Sequence, residues 1–490
     1  MNLKNILDGI EGLKAKGELD LEIEGIESNS KKIEKGFLFV AIKGFTVDGH
    51  EFIGSAIENG AVAVVVDELC DLKALKIPSN VTLIVAKDTR EFLALASANF
   101  YGNPSEKFKL IGITGTKGKT TTTFMIKEIL EKAGKKVGLI GTIATYINGK
   151  KIADSDRTTP ESLELQRMFA DMVKEGVEYV VMEVSSQSLK LHRVDGCHFD
   201  YVAFTNFSED HISEKEHPNM EDYLQSKLKL FKMCKTGFVN IDDLQGNKIP
   251  AMFPDSDITG YGIDNFGNFL AKDITITNSY VDFKAKIADR NERVKVDIPG
   301  RFTVYNALCA ICVCRKIGIE SQVMKEALEK IKVPGRSEMV ENKLEIPIMI
   351  DYAHSPESLQ NILQAVKSYT RGRVISVFGC GGDRDTTKRP IMGEISGKIA
   401  DFTIITSDNP RTEDPQTIVD EIETGIKKTK GKYVCIVDRI EAIKYAINMA
   451  SKKDIIVLAG KGHEPYQEIN GVKHPFDERI IVNQIIKGEI

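Results

Sequence analysis

No apolar run in this 490-residue chain approaches the roughly 20 residues that a bilayer-spanning helix requires. A membrane-embedded helical protein is thereby excluded. The opening stretch, MNLKNILDGIEGLKAKGELD, lacks the apolar core of a secretion signal. The expected compartment is the cytoplasm. A basic surplus is missing as well. The 66 Lys and Arg face 71 Asp and Glu, a formal net charge of −5, so nucleic acid is not an expected partner. The eight cysteines, at 70, 197, 234, 309, 312, 314, 380 and 435, are too scattered for a disulfide framework. Cys309, Cys312 and Cys314 do cluster, within YNALCAICVCRKIG. That string reads as one buried helix. With no fourth ligand and no paired spacing, core packing is expected there rather than a metal. Fixed-period repeats and low-complexity tracts are absent too.

What is present belongs to a globular α/β protein. Hydrophobic residues make up 42% and charged residues 28% of the chain. The length suggests about three domains of roughly 150 residues. Asn103-Pro104-Ser105 and Val333-Pro334-Gly335 supply breaks. The expected domains are therefore 1–105, 106–334 and 335–490.

The most informative stretch is FKLIGITGTKGKTTTTFMIKEIL, residues 108–130. It reads as a buried strand, a glycine-rich turn and a helix. The turn Thr114-Gly115-Thr116-Lys117-Gly118-Lys119-Thr120 can curl its N–H groups around a phosphate chain, and the helix start adds its positive dipole end. Lys119 is placed to reach the terminal phosphates and Thr120 to offer a hydroxyl to Mg²⁺. Ile113 stands where the usual phosphate-loop pattern has its first glycine, so the loop is a TGTxGKT variant. A nucleoside triphosphate is the expected ligand.

In residues 335–490 the apolar runs IPIMI, VISVF, FTIIT, YVCIV and IIVLA alternate with helical stretches. One of these, SLQNILQAVKSY, places Leu359, Ile362, Leu363 and Val366 on one face. This is the pattern of a parallel sheet covered by helices. Four of the runs end in polar motifs: Asp351-Tyr352-Ala353-His354, Gly379 to Arg384, Asp408-Asn409-Pro410-Arg411, and Gly460 to Glu464. Open α/β sheets bind ligands beyond the carboxyl ends of their strands, so four such ends point to one shared site.

Three central residues carry further chemistry. Glu183 ends the apolar run of VEYVVMEVSS, where a carboxylate either holds Mg²⁺ near phosphates or is an edge acid. His211 follows another apolar run, in a polar stretch, and alone is more often structural than a ligand. Lys227 lies on a helical face with Leu224, Leu228 and Phe231. Such a lysine ordinarily snorkels to solvent. The sharper alternative is a buried lysine carbamylated by CO₂, which turns it into an anionic ligand. Two other classes fail on their own signatures. A guanine-nucleotide switch needs N-K-x-D, yet Asn247-Lys248 and Asn342-Lys343 are followed by Ile-Pro and Leu-Glu. A dinucleotide oxidoreductase needs a third glycine where VISVFGCGGDRD has Arg384.

Taken in order, these strings resemble the Mur ligase superfamily over nearly the whole chain. The resemblance rests on Ser28-Asn29-Ser30-Lys31 and KGFLFVAIKGFTVDGHEFI; on TGTKGKTT, RTTPE, MEVSS, HRV, FTNFSEDH, YLQSKLKLF and PGRFTVYNA; and on PGR, DYAHSPESL, VFGCGGDRDTTKRP, SDNPRTEDP and GKGHEPYQ. It implies an α/β fold of three domains: a UDP-binding unit, a central phosphate-loop ATPase-like doubly wound sheet and a Rossmann-like amino-acid unit. Residue by residue it implies ATP at Thr114 to Thr120, Asn306 and Arg336. Lys119 would be catalytic, together with Glu183, His211 and Lys227. Mg²⁺ would be held by Thr120, Glu183, His211 and Lys227, the last as N6-carboxylysine. The UDP-muramoyl peptide would meet Ser30, Phe45, Thr46, Val47, Thr158, Thr159, Ser185 and Arg193. Asp351 and His354 would line the meeting of the last two domains.

The DNPR string resembles the members that add meso-diaminopimelate to UDP-MurNAc-L-Ala-D-Glu. Arg411 is a planar fork suited to a carboxylate, and diaminopimelate differs from lysine by one carboxylate. Arg384, Asp408, Asn409, Pro410, Gly460 and Glu464 would complete that pocket, with Glu464 taking an ammonium. Gln187, Arg157 and Leu191 depart from the family's usual residues. The implied reaction is ATP-driven amide formation through an acyl phosphate, by a monomer that closes its domains on the three substrates.

Overall fold

The structure is a computed structural model, and it describes every residue except 74, 211, 214, 215, 266, 288 and 289. The chain packs as two compact units: residues 1–268 with 309–319, and residues 269–308 with 320–490.

In the first unit the run FLFV and its neighbours AVAVVVD and TLIVA are strands Phe37–Val40, Ala61–Asp67 and Thr82–Ala86. With Gly25–Glu27 they pair in parallel, and Lys14–Lys16 closes one edge antiparallel. Their buried faces are almost wholly aliphatic, from Leu38, Val40, Val65 and Ile84 on one side to Phe39, Val64, Val66 and Val85 on the other. Two-sided burial is why these runs are continuous rather than alternating.

The same logic builds the second sheet of this unit. Lys109–Thr114 lies between Tyr179–Glu183 and Tyr201–Phe204, all parallel. Val137–Ile140 extends the sheet on one side, and Thr236–Asn240 with Asp257–Gly262 on the other. The chain therefore leaves its central strand at Thr114 with a neighbour on each side, and the loop that follows sits at the carboxyl edge where α/β sheets bind ligands. Helix Lys119–Lys132 then packs Phe124, Met125, Ile126, Ile129 and Leu130 inward.

The second unit carries an antiparallel ribbon, Phe269–Ile276, Val281–Ile287 and Arg290–Val296. Its larger sheet runs Ile348–Asp351, Ile455–Ala459, Val374–Phe378, Phe402–Ile405 and Tyr433–Cys435 in parallel, with Glu338–Met339 antiparallel at the edge. Helix Pro356–Tyr369 begins at a Ser355 cap that accepts from Ser358 N, with Pro356 in the first turn. It buries Leu359, Ile362, Leu363 and Val366, the face read from the sequence. Each such side chain contributes about 1.5–3 kcal/mol by leaving water. Cys309, Cys312 and Cys314 are buried in helix Arg301–Ile317, as core residues. Among the described residues no helix is long and apolar enough to cross a membrane.

Candidate active site

The turn after Lys109–Thr114 uses two glycines in left-handed backbone. Gly115 has φ 139° and Gly118, the helix N-cap, φ 84°. A Cβ on Gly115 would overlap Thr205 Oγ1, so close approach demands glycine there. The loop is pinned from the neighbouring strand end: Lys117 N donates to Asn206 Oδ1 at 2.9 Å, and Thr205 Oγ1 donates to Lys117 O at 2.6 Å. Lys119 Nζ folds over the loop, donating to Gly115 O and Thr116 O at 2.9 and 3.0 Å. Thr114 Oγ1 is buried with no hydrogen-bond partner among the described residues.

Beside this cradle stands Glu183, 1% exposed at the end of its strand. Thr120 Oγ1 donates to it at 3.0 Å, and Thr142 donates through both N and Oγ1, at 2.9 and 3.1 Å. Gly141 makes room, since a Cβ there would overlap Glu183 Oε1. Thr158 reaches Thr142 Oγ1 at 3.1 Å, and Thr159 Oγ1 donates to Glu183 O at 2.9 Å. Ser185 N in turn donates to Thr159 Oγ1 at 3.1 Å, and Arg193 Nη1 donates to Thr159 O at 3.1 Å. Thr158, Thr159, Ser185 and Arg193 are thus brought into one network with Glu183 and Thr120. A hydroxyl and a carboxylate in contact are hard oxygen donors of the kind Mg²⁺ takes beside phosphates. His211 lies outside the described residues.

Lys227, in helix Met220–Lys232, is 1% exposed, so the buried alternative holds over snorkelling. Its Nζ donates to Gly115 O at 2.9 Å and lies 4.4 Å from the centre of the Tyr223 ring. Burial pushes this amine well below the ordinary lysine range, and the Lys119 and Lys117 charges push the same way against the pull of Asp210. A buried lysine with a depressed pKa is shifted toward its unprotonated, nucleophilic form.

The second unit gathers its polar motifs separately. Asp408, Asn409 and Pro410 are buried, and Arg411 takes left-handed backbone with φ 51°. Arg411 Nε meets Glu468 at 3.1 Å and Nη1 donates to Gly382 O at 2.7 Å. Asn409 Nδ2 donates to Glu464 Oε2 at 2.8 Å, while fully buried Lys461 donates to Asn409 Oδ1 at 2.9 Å and to Glu464 at 3.2 Å. Gly460, φ 115°, lets Asp408 Oδ2 approach to 2.5 Å from where a Cβ would stand. Arg384 is exposed on the adjacent loop. Beneath these loops Arg439, buried, donates to Ser407 O at 3.2 Å and Ala459 O at 2.9 Å and pairs with buried Glu478 at 2.8 Å.

Family models match along the chain: the Mur ligase family catalytic domain at 22–101, the Mur ligase middle domain at 113–314 and the Mur ligase glutamate ligase domain at 335–462. The chain belongs to the Mur ligase family. Among this Mur ligase's relatives, the UDP-N-acetylmuramoyl-L-alanyl-D-glutamate–2,6-diaminopimelate ligase of Caldanaerobacter subterraneus subsp. tengcongensis is 49% identical, over 99% of both chains. The first such ligase of Clostridium acetobutylicum is 46% identical, again over 99% of both. A solved structure of a ligase of that name superposes with a TM-score of 0.72 at 28% identity, covering 100% of this chain and 99% of the other. Folylpolyglutamate synthase of Mycobacterium tuberculosis, solved with ADP and AMPPCP, shares the fold at 14% identity, with a TM-score of 0.63 over 76% of this chain and 92% of its own.

The remaining expected positions of this Mur ligase fall as follows. Ser30 is buried at the start of a short 3₁₀ turn, and its carbonyl accepts from Asn59 Nδ2 at 2.9 Å. Phe45, Thr46 and Val47 are exposed, Phe45 at 67%. Asn306 is buried in helix Arg301–Ile317. Arg336 lies over the Tyr352 ring, 4.4 Å from its centre. Asp351 accepts from Ser337 N at 2.8 Å, and burial raises its pKa against the opposing pull of Arg336. His354 packs edge-on against Tyr352 with ring centres 4.6 Å apart. Of the departures, Arg157 is exposed and pairs with Glu161. Thr142, Thr205, Asn206, Tyr223, Lys461 and Glu468 escaped the residue-by-residue reading. Asn206 carried the best available signal, a polar residue just past the apolar run YVAF. Glu468 carried none, because its partner lies 57 positions away.

Proposed function

We propose that this Mur ligase joins meso-diaminopimelate to the D-glutamate side-chain carboxylate of UDP-MurNAc-L-Ala-D-Glu, using ATP, in peptidoglycan precursor synthesis in the cytoplasm. The full-length 49% identity to a ligase of that name carries this reading, supported by a guanidinium mounted in the DNPR loop. The domains are read as 1–105 for the UDP end, 106–334 for ATP and 335–490 for the amino acid. Lysine as the added amino acid is not favoured, since Arg411 would then face no second carboxylate.

The carboxylate attacks the γ-phosphorus of ATP and displaces ADP, leaving an acyl phosphate. The amine of diaminopimelate then attacks the acyl carbon and expels inorganic phosphate, losing one proton as the amide forms. Lys119 is the cation poised over the loop, ready to exchange its two carbonyl bonds for phosphate oxygens. The N–H groups from Gly115 to Thr120 orient the phosphate chain. Thr120 and Glu183, with His211, would hold Mg²⁺, which when bound would neutralise charge on the phosphates. Thr158, Thr159, Ser185 and Arg193 would orient the muramoyl peptide, with Ser30 and Phe45-Thr46-Val47 toward the uridine. Asn306 and Arg336 would serve the nucleotide. Lys227 reacts with CO₂ to form a carbamate, its amine nitrogen bonding to carbon and releasing one proton. The resulting anion would join Thr120, Glu183 and His211 as a ligand to Mg²⁺, with the Lys119 and Lys117 charges to balance it.

The test supplies UDP-MurNAc-L-Ala-D-Glu and ATP with either meso-diaminopimelate or lysine and reads ADP. Rapid ADP formation with diaminopimelate and little with lysine is expected. The reverse preference would overturn the specificity, and no ADP with either the ligase reading itself.

A further inference from the structure

His217 lies between two of the motifs read from the sequence and belongs to neither. It is 0% exposed, and both ring nitrogens meet side chains: Nδ1 faces Asp222 Oδ2 at 2.6 Å and Nε2 faces Ser186 Oγ at 2.9 Å. Burial lowers its pKa against the pull of Asp222, so the ring is neutral at pH 7. A carboxylate only accepts, which puts the ring proton on Nδ1 and leaves Nε2 to accept from the Ser186 hydroxyl. The same three residue types in an open cleft make a nucleophile. Here Ser186 is 5% exposed and offers an acyl group no approach, so this chain of bonds holds rather than attacks.

What it holds is the short helix Ser186–Lys190, whose cap, Ser185, is expected at the muramoyl peptide. Asp222 reaches that helix at both ends. It takes the first residue through His217, and it accepts from Nζ of the last, Lys190, at 2.8 Å. Lys190 Nζ also donates to Glu216 O at 3.0 Å, and His217 O accepts from Ser213 N at 2.9 Å, which draws Ser213 and Glu216 into the same clamp. Asp222 itself sits in the first turn of helix Met220–Lys232. That helix bonds the phosphate loop through Tyr223, whose hydroxyl donates to Thr116 Oγ1 at 3.2 Å, and through Lys227 at Gly115 O. The His217 and Tyr223 rings pack with centres 5.0 Å apart. We propose that His217 is a positioning residue for phosphoryl transfer: it fixes the start of the peptide-side helix against the helix that grips the phosphate loop, and so sets where the acceptor carboxylate stands relative to the γ-phosphate. This assignment rests on the function proposed above.

The test isolates phosphoryl transfer from amide formation. ATP carrying ¹⁸O in the β,γ-bridge is incubated with UDP-MurNAc-L-Ala-D-Glu and no amino acid. Reversible acyl-phosphate formation then moves the label into the β-nonbridge positions. Wild type is compared with Ser186→Ala, which removes only the hydroxyl, and with His217→Asn, whose amide still donates to Asp222 but stops short of Ser186. Displacing the reacting groups by about 1 Å costs about 100-fold. Exchange should therefore fall about 10- to 100-fold in each variant. The double variant should lose no more than either alone, because both act through one bond. His217→Gln, whose longer amide reaches Ser186, should regain part of the loss. Calorimetric Kd values for ATP and for the UDP-dipeptide should stay within about 3-fold. Exchange within about 3-fold of wild type in Ser186→Ala overturns the assignment. So does a loss of ATP affinity in step with exchange, which would show a role in folding alone. Wild type that exchanges no label overturns the ligase reading, and the assignment falls with it.

Discussion

Replacing Lys227 with methionine tests why a lysine lies in an interior position that, among the described residues, offers its amine a carbonyl and no acid as hydrogen-bond partner. The Nζ is buried, bonded to a carbonyl and facing a ring, and its nearest charges include Lys119 and Lys117. Holding any lysine neutral at pH 7 costs about 5 kcal/mol, from a reference pKa of about 10.4 at about 1.4 kcal/mol per unit. The bond to Gly115 O returns about 1 kcal/mol. Its loss leaves no orphan, because Lys119 Nζ also donates to that carbonyl. Methionine is unbranched and fills a similar volume. Even if local rearrangement halves the remaining penalty, Lys227→Met should gain about 2 kcal/mol in CO₂-free buffer. For a unit of this size that is about 4–8 °C in Tm. The sign with pH follows from the depressed pKa. The unfolded chain holds a proton that the folded chain releases, so wild type gains stability as pH rises toward about 10.4 and the gap to the variant narrows. Bicarbonate should narrow it further by forming the carbamate. Ligase activity should fall at least about 100-fold, and Lys227→Ala should recover part of it with short carboxylic acids. Scanning calorimetry and ADP release measure the two effects. A variant less stable than wild type in CO₂-free buffer, or one as active as wild type, refutes the reasoning.

Three further outcomes are expected. Arg411→Ala should lower kcat/KM for meso-diaminopimelate about 100-fold and shrink its preference over lysine, as read from ADP formation with each. Arg439→Met should destabilise the second unit by about 3–5 kcal/mol in urea unfolding, because Glu478, 1% exposed, is left charged without its partner; the double replacement with Glu478→Met should recover much of this. Asp454 is buried, which alone would raise its pKa, but the Arg373 side chain, Arg373 N and Ser451 N bring it down to about 2. Its depressed value contributes stability that is complete above about pH 5 and lost as pH falls toward 2, about 2 kcal/mol in all. In acid titrations Asp454→Asn should flatten that part of the stability curve.

Much of the architecture is local and was readable. Short aliphatic runs between helical patterns read as strands buried on both faces, so FLFV, VVME and IIVLA announced themselves. The phosphate loop is equally local. Gly115 and Gly118 are needed for their backbone angles, and Lys119 and Thr120 follow directly at the helix start. Cys309, Cys312 and Cys314 read as helix core for the same reason: spacing and apolar neighbours decide it.

Other features depend on which strand ends meet. No pattern within the string Glu-Val-Ser-Ser discloses that Glu183 is braced by Thr142, because the two are joined only when their strands lie side by side. Lys227 is the sharpest case. Its helical face allowed either solvent or burial, and only the packing of its helix under the phosphate loop placed the amine against Gly115 O. The Arg411–Glu468 pair is another, since a hairpin 57 residues downstream in the chain returns to clasp the arginine. The sequence by itself determined the period-coded elements, the glycine-dependent turn and the family, because each is written in short-range spacing. Tertiary structure alone decided which charges are buried and what faces them, because burial and Coulomb energy depend on distances between segments that spacing along the chain does not contain.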